Sequence, residues 1–459
     1  MLSAIANTFR NCFKIPELKS RIIFTLAVLA ICRLEALIRI PGLDGAALAE
    51  YFRSNAARSG GSLLGMYSMF TGGGLEHCAV GALGIMPYIS ATIIIQLLTA
   101  VVPTLSKLTR EEGGRAKMIQ YGRYLTVVLC LGQGLVMAIG WENPEKIFGP
   151  GIGKLVLYDS ILWYRIQTVL ILTTGTLLMM WLGEQITERG IGNGVSLIIT
   201  IGILARLPQA GQALWYMFAP AGGGEAKFNI GHVIALVLLL AGVIAGVIAV
   251  TQAQRKIPVQ YAQRAVGRKV YSGGSSFLPL RVNYAGVMPV IFAQAILMFP
   301  QLLFTNLGKI FNVKFFNQIA TKLAYGSFWY VVLYGLMILF FSYFWVATQF
   351  NELQIADDLK KNGGYIPGVR PGQATSNFLH NSMHRITLAG AIFLTVIAVI
   401  PILLYVWLAV PQAVGTFFGG TSMLIMVGVL LDTMRQMESH LLMRHYDGFL
   451  KKGRLKGRF

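Results

Sequence analysis

Charge is what this sequence has least of. Only 13% of its 459 residues are Asp, Glu, Lys or Arg, against about 25% in a soluble domain. Acidic residues are the scarcest, 19 against 39 Lys and Arg, which leaves a net charge of +20. A soluble enzyme needs a charged surface, so that class is disfavoured. Disorder is excluded too, because 55% hydrophobic residues is far more than unfolded chains carry. Cysteine is sparse: Cys12, Cys32, Cys78 and Cys130 form no CxxC pair and no metal spacing, and read as small buried hydrophobes without disulfides. Catalytic patterns are missing as well. No HExxH, GxSxG or EF-hand loop occurs, and Gly149 to Leu155 (GPGIGKL) lacks the first glycine and the Ser or Thr of a phosphate-binding loop. His380 and His384 could share a helix face but have no third ligand near them in sequence. The chain is expected to catalyse nothing itself and to hold no metal or cofactor. Its first twenty residues also lack a cleavable signal pattern, since the apolar run starts after Arg21 with no small-residue site behind it.

What is there is apolar sequence in lengths that match a bilayer, about 20 residues per helical span. Such segments run over 20–38, 79–101, 118–140, 160–183, 194–214, 230–252, 285–306, 327–347, 386–409 and 416–436. Ten spans place both termini on one side. With that side inside, about 27 of the 39 basic residues are cytoplasmic. Residues 1–19 form a cytoplasmic N-terminal segment. There Ile5, Phe9 and Phe13, spaced by four, fit either a helix lying on the membrane or a solvated tail. A basic tail, 437–459, closes the chain.

Two regions depart from plain spans. Residues 60–74 (GGSLLGMYSMFTGGG) enclose an apolar core too short to cross. They fit a re-entrant half-helix hinged on Gly72, Gly73 and Gly74, or a turn on the membrane surface. The second region is a pair of long cytoplasmic loops, 253–284 and 348–385. The first carries six basic residues and no acidic one, and 363–372 (GGYIPGVRPG) is too rich in Gly and Pro for helix. A basic protrusion fits an acidic partner or anionic lipids, or a charge excess that only sets topology. Transport of a small solute would call for carboxylates at mid-membrane. Glu35, Glu184 and Asp432 instead fall near span ends, so any central path is lined by apolar and small polar groups.

The strongest signals are phrases. They are LGIMPYIS at 83–90, PTL at 103–105, GR at 114–115, QY at 120–121, TERGIGNG at 187–194 and PLRVN at 279–283. GVMPVIFA at 286–293, IPGVRPG at 366–372 and GGTS at 419–422 complete the set. With the ten-span count, the chain resembles the SecY family, channel subunits of the bacterial protein-conducting translocon, from about residue 15 to the tail. It departs from the family pattern at Glu35, where glycine is usual, and at Arg39 and Glu352, where proline is usual.

The resemblance implies an all-α polytopic membrane protein. Ten transmembrane helices form two inverted halves, 20–214 and 230–436, around a central pore closed by a re-entrant plug helix. Signal sequences open a lateral gate, and unfolded secretory chains pass through while membrane-protein helices leave sideways into lipid. A secondary transporter with inverted repeats is the other reading. By motif, the pore ring falls on Ile85, Ile89, Ile199, Ile203, Ile291 and Ile425, and two of its pairs are spaced by four and share a helix face. Stiff β-branched side chains can close on any passing chain and dewet when empty. The plug falls on Leu63, Leu64, Met66, Tyr67, Met69 and Phe70. The gate faces, about 83–98 and 287–300, carry Pro87, Ile93, Gln96, Pro289, Phe292 and Gln294, and each proline is expected to interrupt its helix and ease bending. Docking residues are Arg255, Lys256, Arg264, Arg268, Lys269 and Arg370. Implied partners are SecE and SecG in a heterotrimer, the SecA ATPase, the ribosome, nascent chains, anionic lipids, SecDF and YidC. The implied location is the bacterial inner membrane. Gly242 and Gly246 add a GxxxG face for close packing.

Overall fold

The computed structural model describes residues 15–54, 68, 71–111, 113–144, 153–208, 211, 212, 215, 230–261, 264–266, 269–271, 275–311, 314–324, 326–408 and 421–452. Among the described residues five helices are long and apolar enough to cross a membrane, and a sixth span forms if one bent pair counts as one. They are the main parts of α5 (Gly114–Glu142), α6 (Ile161–Arg189), α8 (Ile230–Gln252), α11 (Phe328–Gln349) and α13 (Gln373–Leu408). The bent pair is α3 (Met86–Val101) with α4 (Pro103–Arg110), which turn through 97°. The break falls where Pro103 denies its predecessor the helical region. Among the described residues, the other expected spans fall on α1 (Pro16–Glu35), α7 (Gly194–Leu204), α9 (Met288–Phe311) and α14 (Thr421–Lys452), which do not meet that measure alone. The regular helix of α7 stops at Leu204, short of the expected 214, with Arg206 and Pro208 just beyond.

Two compact units divide the chain. Met1–Ala226 with Ile425–Phe459 forms one, and Lys227–Leu424 forms the other. In the first, α6 packs against α5, α1 and α7, and α5 packs against α3. Leu18, Ile191 and Met437 join α1, the α6–α7 turn and α14 in a small apolar cluster. A short helix, α2 (Gly45–Ser54), and a 3-10 helix, Val80–Ala82, which packs against α6, also belong to this unit.

The α5–α6 hairpin is pinned at both ends. Arg123 of α5 donates from Nε and Nη2 to both carboxylate oxygens of Glu184 on α6, at 3.0 and 2.6 Å. At the other end Arg165 of α6 donates to Glu142 of α5 at 3.0 and 2.7 Å. On each helix nineteen residues separate the two ion pairs, a rise of about 28 Å, close to the roughly 30 Å of a hydrocarbon core. Tyr121 and Tyr124 stand exposed near one pair and Trp163 near the other, as interfacial aromatics do. Between the pairs Val128, Leu131, Leu135, Val136, Ile166, Leu170 and Leu178 are exposed. The hairpin carries its own bilayer ruler.

In the second unit, α11 packs against α9 and α13. Phe292 of α9 stands edge-on to Phe341 and Trp345 of α11, with centroids 5.9 and 5.5 Å apart. A nine-residue helix, α10 (Lys314–Lys322), lies against α9. The region expected as two loops is not loop, and the fold is mostly helical rather than all-α. Strands β1 (Gln254–Tyr261), β4 (Ser275–Arg281) and β5 (Gly364–Tyr365) form an antiparallel sheet in the order β4-β1-β5. β2 (Arg264–Val266) and β3 (Lys269–Tyr271) make a separate antiparallel pair. The cause lies in the alternation of β1: Ile257 and Val259 are buried while Arg255, Lys256 and Gln260 face out, the period of a half-buried strand. Pro258 is tolerated because β5 pairs only with Gln260 and Tyr261, leaving the N–H edge at Pro258 open. Ile257, Val259 and Leu280 share a core with Val346, Phe350, Ile366, Leu379 and Met383. That core fastens the sheet to the ends of α11 and α13, and α12 (Glu352–Lys361) packs beside it on α13.

Candidate functional site

The six isoleucines are described and almost wholly buried, each at 4% exposure or less. Ile85 is the N-cap of α3, and its carbonyl accepts from the Ile89 N–H at 3.2 Å, which sets both on the first turn. Ile199 and Ile203 lie one turn apart on α7. In the first unit a small cavity is lined by Ile85 and Gly84, by Cys32, Arg33 and Ala36 of α1 with Thr71, and by Met179, Ile198, Ile201 and Gly202. On α7 the cavity meets Ile198, Ile201 and Gly202. Ile85 and Ile198 approach Gly183 of α6 together, their Cδ1 atoms 3.7 and 3.2 Å from where a Cβ there would stand. Ile425 belongs to the first unit and Ile291 to the second.

The TERGIGNG turn sets the direction of α7. Asn193 caps the helix by accepting from the Ser196 N–H at 3.2 Å, and Thr187 accepts from the Gly194 N–H at 2.9 Å. Thr25 of α1 accepts from the Ile191 N–H, and Gln436 of α14 accepts from the Gly192 N–H at 2.8 Å. Gly192 has φ +89°, and a Cβ on Gly194 would stand 1.9 Å from the Gly183 carbonyl oxygen. The glycines are needed because α7 starts in backbone contact with α6.

The residues expected to form a plug, Leu63, Leu64, Met66, Tyr67, Met69 and Phe70, lie outside the described residues. Ser68 and the stretch from Thr71 onward are described, and they hold a network the sequence reading missed. Arg206, just past α7, donates from Nη2 to Glu76 Oε1 at 2.6 Å and also to Ser68 Oγ. Ser68 Oγ in turn donates to Glu76 Oε1 at 3.0 Å. Arg33 of α1 donates to the Gly72 carbonyl at 3.0 Å. Its only signal in the sequence was two isolated charges, Glu76 and Arg206, each beside an apolar segment. Behind this stretch, Ile40 donates to the Cys78 carbonyl and Val80 to that of Ile38. Neither bond uses the N–H of Arg39, so the position is one that a proline could fill as well.

Neither gate proline interrupts a helix. Pro87 stands in the first turn of α3 and Pro289 is the second residue of α9, positions where the missing N–H had no helical partner anyway. Prolines do stand inside helices further along, Pro300 in α9 and Pro401 in α13. Ile93 and Phe292 are buried, and Gln96 and Gln294 each present a buried Oε1 with no hydrogen-bond partner among the described residues.

Arg255 and Lys256 are exposed on β1, and Arg370 is exposed in the turn before α13. Ile366 anchors that turn in the apolar core, Gly368 and Gly372 have φ of +83° and +101°, and the Arg370 carbonyl accepts from Thr375 Oγ1 at 2.9 Å. Arg264 and Lys269 stand on β2 and β3, and Arg268 lies outside the described residues. Glu352, where proline is usual, is the first residue of α12, where a carboxylate favours the helix dipole, and it contacts His380 Nδ1 at 2.8 Å.

These features define a membrane-embedded, mostly helical protein with a basic, sheet-bearing section and a glycine-rich stretch tied down beside buried isoleucines. The SecY family model matches residues 79–434, and the chain belongs to the SecY family. It is 43% identical over 460 residues to the protein translocase subunit SecY of Chlamydia trachomatis, covering 98% of this chain and 99% of that one. To the Escherichia coli K12 subunit it is 42% identical over 442 residues, 96% of each. A solved protein-conducting channel has the same fold, with a TM-score of 0.61 at 19% identity over 92% of both chains. Sec61 in a canine ribosome-channel complex gives 0.59 at 18% over the same shares.

Proposed function

We infer that the chain is the channel-forming subunit of a bacterial translocon. It conducts unfolded secretory polypeptides across the cytoplasmic membrane and releases apolar helices sideways into lipid. The observation that carries this is kinship over nearly the full length with protein translocase subunits at 41–43% identity. The apolar segments and the basic excess support ten spans with both termini cytoplasmic, and membership of the family supports their grouping into two inverted halves. The six isoleucines form the ring that closes on the chain, and the 60–74 segment is the plug. A signal sequence, itself an apolar helix, leaves through the gate because lipid removes its surface from water. Work comes from a partner, SecA or a translating ribosome, meeting Arg255, Lys256 and Arg370. SecE and SecG complete the heterotrimer. A transporter reading needs a binding cluster near mid-membrane, and nothing found favours one. The test is crosslinking of a stalled secretory chain to probes at Ile85 and Ile291 in the assembled complex. Adducts at both are expected, and none at either position refutes the pore.

A further inference from the structure

We propose that Arg206 and Arg33 are positioning residues that latch the glycine-rich stretch, with the Glu76–Arg206 ion pair as the latch itself. This latch rests on the plug reading and deepens it. Glu76 and Arg206 are largely shielded, their side chains 12% and 16% exposed, so the pair is screened less by salt than a surface pair. One Glu76 oxygen accepts from both Arg206 and Ser68, a charge-assisted cluster that ties the far end of the 60–74 segment to the residue just past α7. Arg33 reaches the Gly72 carbonyl from α1. Gly72 has no room for anything else: a Cβ there would stand 2.3 Å from Arg33 Nη1 and 3.1 Å from the Gly202 Cα. Thr71, the adjoining residue, lines the same cavity as Ile85. Holding Ser68 to Glu76 therefore holds the segment's end beside a ring residue. Arg33 and Arg206 each reach the stretch, close enough for their charges to oppose one another, and Glu76 offsets that repulsion. Undocking about Gly72–Gly74 withdraws Ser68 and leaves the Glu76–Arg206 pair in place, ready to take Ser68 back. The device closes a resting channel and is reversible.

The test uses the assembled complex in vesicles, comparing Glu76→Gln, Arg206→Gln, the double variant and the exchange Glu76→Arg/Arg206→Glu. Resting ion leak and transport of a preprotein with a defective signal sequence are both read. Each single change is expected to raise both by about tenfold, equivalent to about 1.4 kcal/mol. The double variant should be no worse than either single one, and the exchange should recover most of the loss. Arg206→Lys, which keeps the charge, should fall between and guards against misfolding of the neutral variants. Leak unchanged in both single variants, or effects that simply multiply in the double one, overturns the latch. Transport of an intact preprotein by the unaltered complex tests the channel reading separately. Its absence refutes that reading, whereas normal transport without coupling refutes the latch alone.

Discussion

Single residues carry two energetic oddities. Glu35 is 4% exposed and neither carboxylate oxygen has a hydrogen-bond partner among the described residues. A Cβ on Gly175 of α6 would stand 2.7 Å from its Oε1, so the group is wedged against α6 with no room for a counter-ion there. Burying an unpaired carboxylate charge is costly and such a group takes up a proton instead, so the neutral isostere Glu35→Gln should change stability by no more than about 1 kcal/mol. Thermal unfolding of the purified complex measures this, and a larger loss of stability would show that Glu35 has an unseen partner. Gly194 is the opposite case. Its replacement by alanine drives a methyl into the backbone of Gly183, an overpacking worth about 3 kcal/mol that no rotamer change relieves. Gly194→Ala should accumulate poorly in membranes, while Gly122→Ala, with open space at its Cβ, should be tolerated.

Among elements, the α5–α6 hairpin shows how little specific chemistry is needed to place a helix pair in lipid. Its two ion pairs lie at the ends of the apolar stretch, where partial hydration keeps the cost of charge low, and each guanidinium grips one carboxylate. Reversing Arg123 alone sets two carboxylates against each other, so Arg123→Glu should lower thermal stability. Adding Glu184→Arg should restore it to within about 0.5 kcal/mol. Equal destabilisation by the single and double variants would mean the pair contributes nothing. Five or six of the ten expected spans are long apolar helices among the described residues, and these were legible because helices in lipid satisfy their own backbone, so apolar length reports them. The sheet was not legible. Six basic residues between 253 and 284 drew attention to charge, and the alternation of Ile257 and Val259 is only two residues long. What makes it a strand is pairing with β4, which begins some fourteen residues after β1 ends. Pro87 and Pro289 illustrate the same limit: a proline one residue inside a helix and one in its middle look alike until the preceding turn is seen.

For the whole molecule, the charge asymmetry becomes a division of labour. The basic section rests on its own core: buried Ile366 anchors the chain four residues before the exposed Arg370. Arg370→Glu should reduce motor-driven transport at least tenfold, about 1.4 kcal/mol in coupling, without altering complex yield. Near-normal transport in vesicles would remove Arg370 from that role. The amino-acid sequence alone determined that the protein is membrane-embedded, which side of each segment is basic, and which family it joins. Those properties depend on composition and on short phrases, and both are local. Only the tertiary structure decided that the supposed loops are a sheet on its own core, that Glu352 meets His380, and that Ser68, Glu76, Arg33 and Arg206 converge. Such contacts join residues up to 138 positions apart. Packing sets them, and no local pattern records it.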